Sequence, residues 1–262
     1  MRNKLLALIL LMMARDAAAD PAKPPAVIPY RFRQTTIVEA LNTAHQVTRR
    51  DVRVEEVFPV EGRYLFHRLV RLNGRPLSPP EEAAEAQREA AFRDAARKGK
   101  KPKQPEVVTD LTTQFTDEEL DRAFVSKEIG REQVRGRPCI VYEFRGRPGR
   151  RLKVGGQYQQ FFEVVVDGIL GRLWVDEEDR KPARGEVRLK HPASLMFGLL
   201  VYVKQFDLDV EFERLEPGVW WPREANGCVD ARYLIFQTYI RRAHVQNEDF
   251  VRVGTSTDAS GR

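Results

Sequence analysis

The sharpest pattern in the chain is the strict alternation of Leu208, Val210 and Phe212 with Asp207, Asp209, Glu211 and Glu213. It predicts a strand with one buried and one wet face. Glu216-Pro217-Gly218 then turns the chain, and Val219-Trp220-Trp221-Pro222 begins the next strand. Upstream, Leu173 and Val175 share one face of a strand that ends in an acidic turn, Glu177 to Asp179. A return strand follows, in which Val187 and Leu189 alternate with Glu186, Arg188 and Lys190. Shorter β-type runs cover Tyr30 to Val38, Val52 to Val57 and Tyr64 to Leu72, punctuated by Pro59, Gly62 and Asn73-Gly74. In the last of these Tyr64, Phe66, Val70 and Leu72 fall on one face, with Arg68 the exception, and His67 and Arg71 on the other. Ser126 to Val134 and Pro138 to Phe144 flank Arg135-Gly136-Arg137 and predict a hairpin. Arg232 to Ile240 is apolar on both faces and reads as a strand covered on both sides. Glu39 to Gln46 reads as a helical turn, and Leu195 to Val203 as a buried strand or a short helix.

One segment breaks the β pattern. Ser78-Pro79-Pro80-Glu81 combines a serine cap, proline at the first helical position and glutamate three residues later, so a helix is expected to about Arg97. Its acids come early (Glu81, Glu82, Glu85) and its bases late (Arg93, Arg97, Lys98), which suits the helix dipole. Phe92 is its one large apolar residue, so the helix reads as a lid or peripheral insertion, with a solvated basic linker from Gly99 to Pro105 behind it. Thr116-Asp117-Glu118-Glu119 repeats the capping logic for a short second helix to about Phe124.

The strand segments GRLWVDEED and ARGEVR, then DLDVEFERLEPGVWWP and ARYLIFQTYI, resemble in their order the C-terminal half of the LolA/LolB-like superfamily of periplasmic lipoprotein carriers. The resemblance spans roughly Phe124 to Val253, with weaker agreement over Tyr30 to Leu77. It implies an α+β fold: a strongly curved antiparallel sheet, a half-barrel, wrapping an apolar cavity under a helical lid. On that reading one domain runs from 30 to 253, with a helical insertion at about 78–104. Leu173, Val175, Leu208, Val210 and Phe212 become the candidates for the cavity floor. Trp220, Trp221 and Phe236 are further lining candidates, and Phe92 is the lid candidate. Adjacent tryptophans on a strand must point to opposite faces, so one of the pair is free to line a cavity while the other packs.

Residues 1–19 change the compartment. Arg2 and Lys4 precede an apolar run from Leu5 to Met13, and Ala17-Ala18-Ala19 stands before Asp20, the layout of a secretory signal peptide. Residues 20–29, with four prolines, read as an extended leader, and 254–262 as a polar tail. Cleavage removes three bases and one acid and takes the formal charge from +6 to +4. Such a balance favours acidic partners or anionic membrane surfaces, with basic loops as the contact, and does not call for nucleic acid. Cys139 and Cys228 are the two cysteines. In an oxidising compartment they are available for one disulfide, and they fit equally well as separate thiols in strands.

Little in the sequence points to chemistry. The four histidines lie far apart with no partner at helical spacing, where a zinc site needs three or four converging ligands. The loop from Gly146 to Gly156 has glycines and bases without Walker or dinucleotide spacing. Asp176 to Asp179 reads as a turn whose acids point to water. The expected function is therefore a non-enzymatic, cofactor-free periplasmic binding protein that sequesters a lipid, an acyl chain or a lipidated protein. The alternative is an envelope sensor or interaction module that uses the same sheet to bind a protein partner. Mass measurement of the mature protein is expected to find Asp20 at its N-terminus; an intact Met1 in a cytosolic fraction would remove the compartment assignment.

Overall fold

The computed structural model describes residues 28–100, 102, 123–148, 165–195, 201–233 and 237–253. These carry twelve strands and one long helix. The strands before the helix are β1 (Tyr30–Leu41), β2 (Val47–Val60), β3 (Tyr64–Leu72) and the two-residue β4 (Arg75–Pro76); helix α1 spans Pro79–Arg97. After it come β5 (Phe124–Val134), β6 (Arg137–Gly146), β7 (Ile169–Asp176) and β8 (Pro182–Leu189). The last four are β9 (Ala193–Leu195), β10 (Val201–Glu216), β11 (Val219–Tyr233) and β12 (Gln237–Arg252). They pair in the order β4-β3-β2-β1-β12-β11-β10-β8-β7-β6-β5, with β9 beside β10. The path is open, running from β4 at one end to β5 at the other, and with one helix inserted it is the α+β class expected.

Turn chemistry sets the register of the hairpins. Between β5 and β6, Arg135 and Gly136 have φ of 52° and 74°; between β3 and β4, Asn73 and Gly74 have 51° and 81°. Two consecutive positive φ angles are what a primed two-residue turn requires, and its twist matches that of the flanking strands. Two expectations are corrected. Residues 39–46 are not helical: β1 runs to Leu41, and the Asn42 side chain accepts hydrogen bonds from the Ala44 and Gln46 amides to close a tight turn. Asparagine favours such a local bond over a helix. The run from Arg232 to Ile240 is not one strand, since β11 ends at Tyr233 and β12 begins at Gln237. A segment apolar on both faces carries no periodicity to mark that break. The short helix expected at 116–124 lies outside the described residues except for Ala123 and Phe124, the latter opening β5.

The chain divides into two compact units. In the first, which holds residues 37–50 and the described residues from 123 to 245, the buried faces of β8, β10 and β11 form the core. Val187, Leu208, Val210, Phe212, Ala225 and Val229 pack there with Val165, Val166 and Ile169. In the second, which holds residues 28–36, 51–100 and 246–253, α1 lies on β3. Phe92 is 3% exposed and packs with Val60, Phe66 and Ala96, its ring 4.9 Å from that of Phe66.

Periodicity did not reveal the polar half of that contact. Glu85 accepts the Leu69 amide at 2.8 Å, Arg68 bonds Glu89 at 2.6 Å, and Arg88 bonds both the His67 carbonyl and Glu85. Helix and strand are thus joined by one aromatic anchor and a row of charge-assisted hydrogen bonds, stronger than neutral ones. Replacing Phe92 by Ala is expected to lower stability by about 3–5 kcal/mol, the range for truncating a buried phenylalanine. Urea denaturation checks this, and a loss below about 1 kcal/mol would mean the anchor carries little of the docking.

Candidate functional site

Residues opposed across an antiparallel pair project from the same face. The register therefore sorts the wet face of the first unit into rows. Arg145 of β6 opposes Leu170 of β7, which opposes Arg188 of β8; Arg188 opposes Asp207 of β10, and Asp207 opposes Cys228 of β11. One step along the strands, Glu143, Arg172, Glu186, Asp209 and Asn226 form the next row. A groove of about 480 Å³ opens over these rows. Arg188, Asp207, Asp209 and Cys228 line it from β8, β10 and β11, Arg242 and His244 from β12, and Glu39 and Arg50 from β1 and β2. All of these belong to the first unit.

The groove's charges are differently committed. Arg184, one rung on, bridges Glu186 at 2.7 Å and Asp209 at 3.2 Å, and with Arg172 and with Lys127 of β5 opposite Glu143 it balances the second row. His244 places Nδ1 2.7 Å from the Asn226 side-chain oxygen and 3.7 Å from Glu224, tying β12 to β11. Arg50 stands 3.8 Å from Glu39. Burial pushes the Cys228 thiol up, the Asp207 carboxylate adds to this, and the positive charge of Arg242 opposes it; the sulfur stays protonated at neutral pH. A protonated thiol is a poor nucleophile. Arg145 and Arg188 are exposed and form no ion pair among the described residues.

The acidic turn after β7 departs from the sequence expectation. Asp176 is fully buried, accepting both Arg137 nitrogens (2.7 and 3.1 Å) and the Glu178 and Asp179 amides. Asp179 accepts Arg214 Nε at 2.6 Å and the Trp220 indole N–H at 2.7 Å. Asp176 and Asp179 turn inward because two arginines and an indole converge on them from strands distant in sequence, while Glu178 stays exposed as expected. Asp176, Glu178 and Asp179 bring carboxylate oxygens within 4.8 Å of one another, and Arg137 and Arg214 offset two of the three charges. The cluster is a clamp between β6, β7 and the β10–β11 hairpin.

The sequence candidates distribute as follows. Leu208, Val210 and Phe212 sit together in the first core, with Val210 wholly buried and Leu208 also under the groove. Leu173 and Val175 are half-buried on β7, while Trp174 between them is buried and donates to Glu132 at 2.8 Å. Trp220 packs against the core and caps Asp179; Trp221, one residue on, opposes Glu213. Phe236 lies outside the described residues. Cys139, buried on β6, and Cys228 are both free thiols. The arginine row over the groove escaped sequence reading, since Arg145, Arg188 and Arg242 have no common period. Only strand pairing brings them into line.

A second buried polar group lies on β2 and β3, on the face opposite the one α1 covers. Glu55 and His67, 2% and 4% exposed, face each other across β2 and β3 with 3.7 Å between Nδ1 and Oε2, and Arg53 bonds Glu55 at 3.0 Å. Burial raises the Glu55 carboxyl, but His67 and Arg53 outweigh it and hold the group below the usual carboxylate range. The sequence pattern put His67 on the face of β3 opposite Phe66, and it lies there: α1 covers the Phe66 face, and His67 is buried on the other side of the strand.

No family model matches the chain, and no curated protein matches it in sequence. Solved structures do. The chain is similar to a LolA superfamily protein from Nitrosomonas europaea at 10% identity and a TM-score of 0.29, covering 95% of this chain and 92% of that one. The superfamily is the one its strand segments resemble. It is also similar to an outer-membrane lipoprotein-sorting domain from Vibrio parahaemolyticus, at 10% identity and a TM-score of 0.35, over 88% and 86% of the two chains. The Pseudomonas aeruginosa MucA/MucB complex matches at 9% identity and a TM-score of 0.25, over 84% and 89%. Scores this low leave function to be read from the groove itself.

The clamp has a pH signature. Burial raises the Asp179 carboxyl, and the Arg214 and Trp220 bonds more than offset this, bringing it down to about 2. An unfolded aspartate titrates near about 3.9, so the stability Asp179 contributes is fully present above about pH 4 and is lost as pH falls toward about 2. Urea midpoints measured from pH 6 to pH 2 are expected to fall across that window. Asp179→Asn should flatten the fall; an unchanged slope in the variant would show that the clamp does not carry it.

Proposed function

We propose that this protein is an exported envelope protein that binds a protein partner along the charged groove, and that it works by binding and not by chemistry. The observation that carries this reading is the groove's lining: guanidinium and carboxylate groups from β8, β10 and β12 stand around it, with Ile37, Leu208 and Ala243 between them, while the buried apolar residues of the same strands pack into the core. An acyl chain laid there would strip water from those charges and return no hydrogen bonds, a cost of roughly several kcal/mol. A polypeptide segment can match donors and acceptors of both signs. The protonated Cys228, with His244 engaged by Asn226, supports a binding role over a nucleophilic one. Export is supported by the signal-peptide layout of residues 1–19.

The test is a photo-cross-linking residue at Asn226, exposed in the groove, against the same residue at Ile129, exposed on β5. In intact cells, protein adducts are expected at position 226 and not at 129. Native mass spectrometry of protein purified from its own envelope separates the alternative, because a stoichiometric co-purified lipid would favour the apolar-ligand reading and overturn this one.

A further inference from the structure

Resting on the groove as a partner site, we infer that the segment it receives is an extended, acidic polypeptide lying across the strands, over Arg242 and Arg188 in the groove and on to Arg145, two strands beyond its lining. Pairing puts Arg145 and Arg188 in one rung through Leu170, and Arg188 in line with Cys228 through Asp207. Arg242 lines the groove with Cys228 and stands two residues from His244, which meets Asn226 two residues from Cys228, so the rung continues onto β12. Strands lie about 4.8 Å apart, so Arg145 and Arg188 stand about 10 Å apart and Arg188 and Arg242 about 14 Å apart.

This rung holds three arginines against Asp207 alone, whereas in the neighbouring rung Glu143, Glu186 and Asp209 are offset by Lys127, Arg172 and the bridging Arg184. All three rung arginines are exposed. Arg145, Arg188 and Arg242 form no ion pair among the described residues. Three guanidinium forks in single file suit carboxylates, each of which can accept two parallel N–H bonds. An extended chain at about 3.4 Å per residue spans the row in about seven residues. A membrane surface or a nucleic-acid duplex would instead call for positive charge spread over an area, and the carboxylates of the compensated rung alongside oppose that.

The test uses the mature full-length chain and a fluorescein-labelled peptide of about ten residues alternating glutamate and alanine, with a lysine–alanine peptide beside it. Fluorescence anisotropy at low salt is expected to show binding of the glutamate peptide only, weakening as salt rises. Single changes Arg145→Ala, Arg188→Ala and Arg242→Ala are expected to cost about three-fold each and the triple change about twenty-fold, the scale of exposed ion pairs. Arg172→Ala, in the compensated rung, should bind as the parent does, and a triple change to Lys should keep most of the affinity. All four arginines are exposed, so these variants are expected to fold, which far-UV circular dichroism checks. The inference is overturned if the parent protein does not bind the glutamate peptide or if the triple alanine variant binds it equally well. It is also overturned if phosphatidylglycerol vesicles bind in an arginine-dependent way while the peptide does not. Cross-linked protein adducts at Asn226 that persist in the triple variant would leave the groove reading intact and sink this one alone.

Discussion

Every strand has two faces, and β10 spends them on opposite tasks. Leu208, Val210 and Phe212 go into the core, so Asp207, Asp209 and Glu211 are left on the other side. Because β10 pairs with β8 and β11 along much of its length, the same division passes to its neighbours, with Val187 and Ala225 inward and Arg188 and Asn226 outward. A slip of one residue would exchange the two faces entirely, placing carboxylates in the core. The groove is the outer consequence of a register that the inner face enforces.

The acidic turn holds that register from the side. Arg137 on β6 grips Asp176 at the end of β7, and Arg214 and Trp220, on β10 and β11, grip Asp179 three residues later. Two hairpins are thereby joined by hydrogen bonds to ionised groups. Near Gly171 the packing is as tight: a side-chain carbon there would come within 2.2 Å of Phe144 and 2.6 Å of the Glu186 carbonyl, so β6, β7 and β8 can approach only with glycine at that position.

In the second unit a different balance applies. Helix α1 contributes one aromatic side chain to its contact with β3, and the remaining contact is made by glutamates and arginines. On the other face of β3, neither ring nitrogen of His67 has a hydrogen-bond partner among the described residues, and leaving such groups unpaired costs stability.

Elements whose hydrophobic period is unbroken were legible in the sequence. The alternation at 207–213, the hairpin at Arg135-Gly136 and the capped helix from Pro79 to Arg97 all follow from local chemistry: side-chain period, positive φ and terminal hydrogen bonding. So did the open choice between Cys139 and Cys228 as partners or separate thiols, since spacing along a chain says nothing of distance across a sheet. What lies on a strand's wet face has no such signature. The burial of Asp176 and His67, and the alignment of Arg145, Arg188 and Arg242, depend on which strands are neighbours and in what register. Polar residues on a single strand all look like surface. Only when the sheet assembled did an arginine 39 residues away reach Asp176, and only then did three scattered arginines become one row.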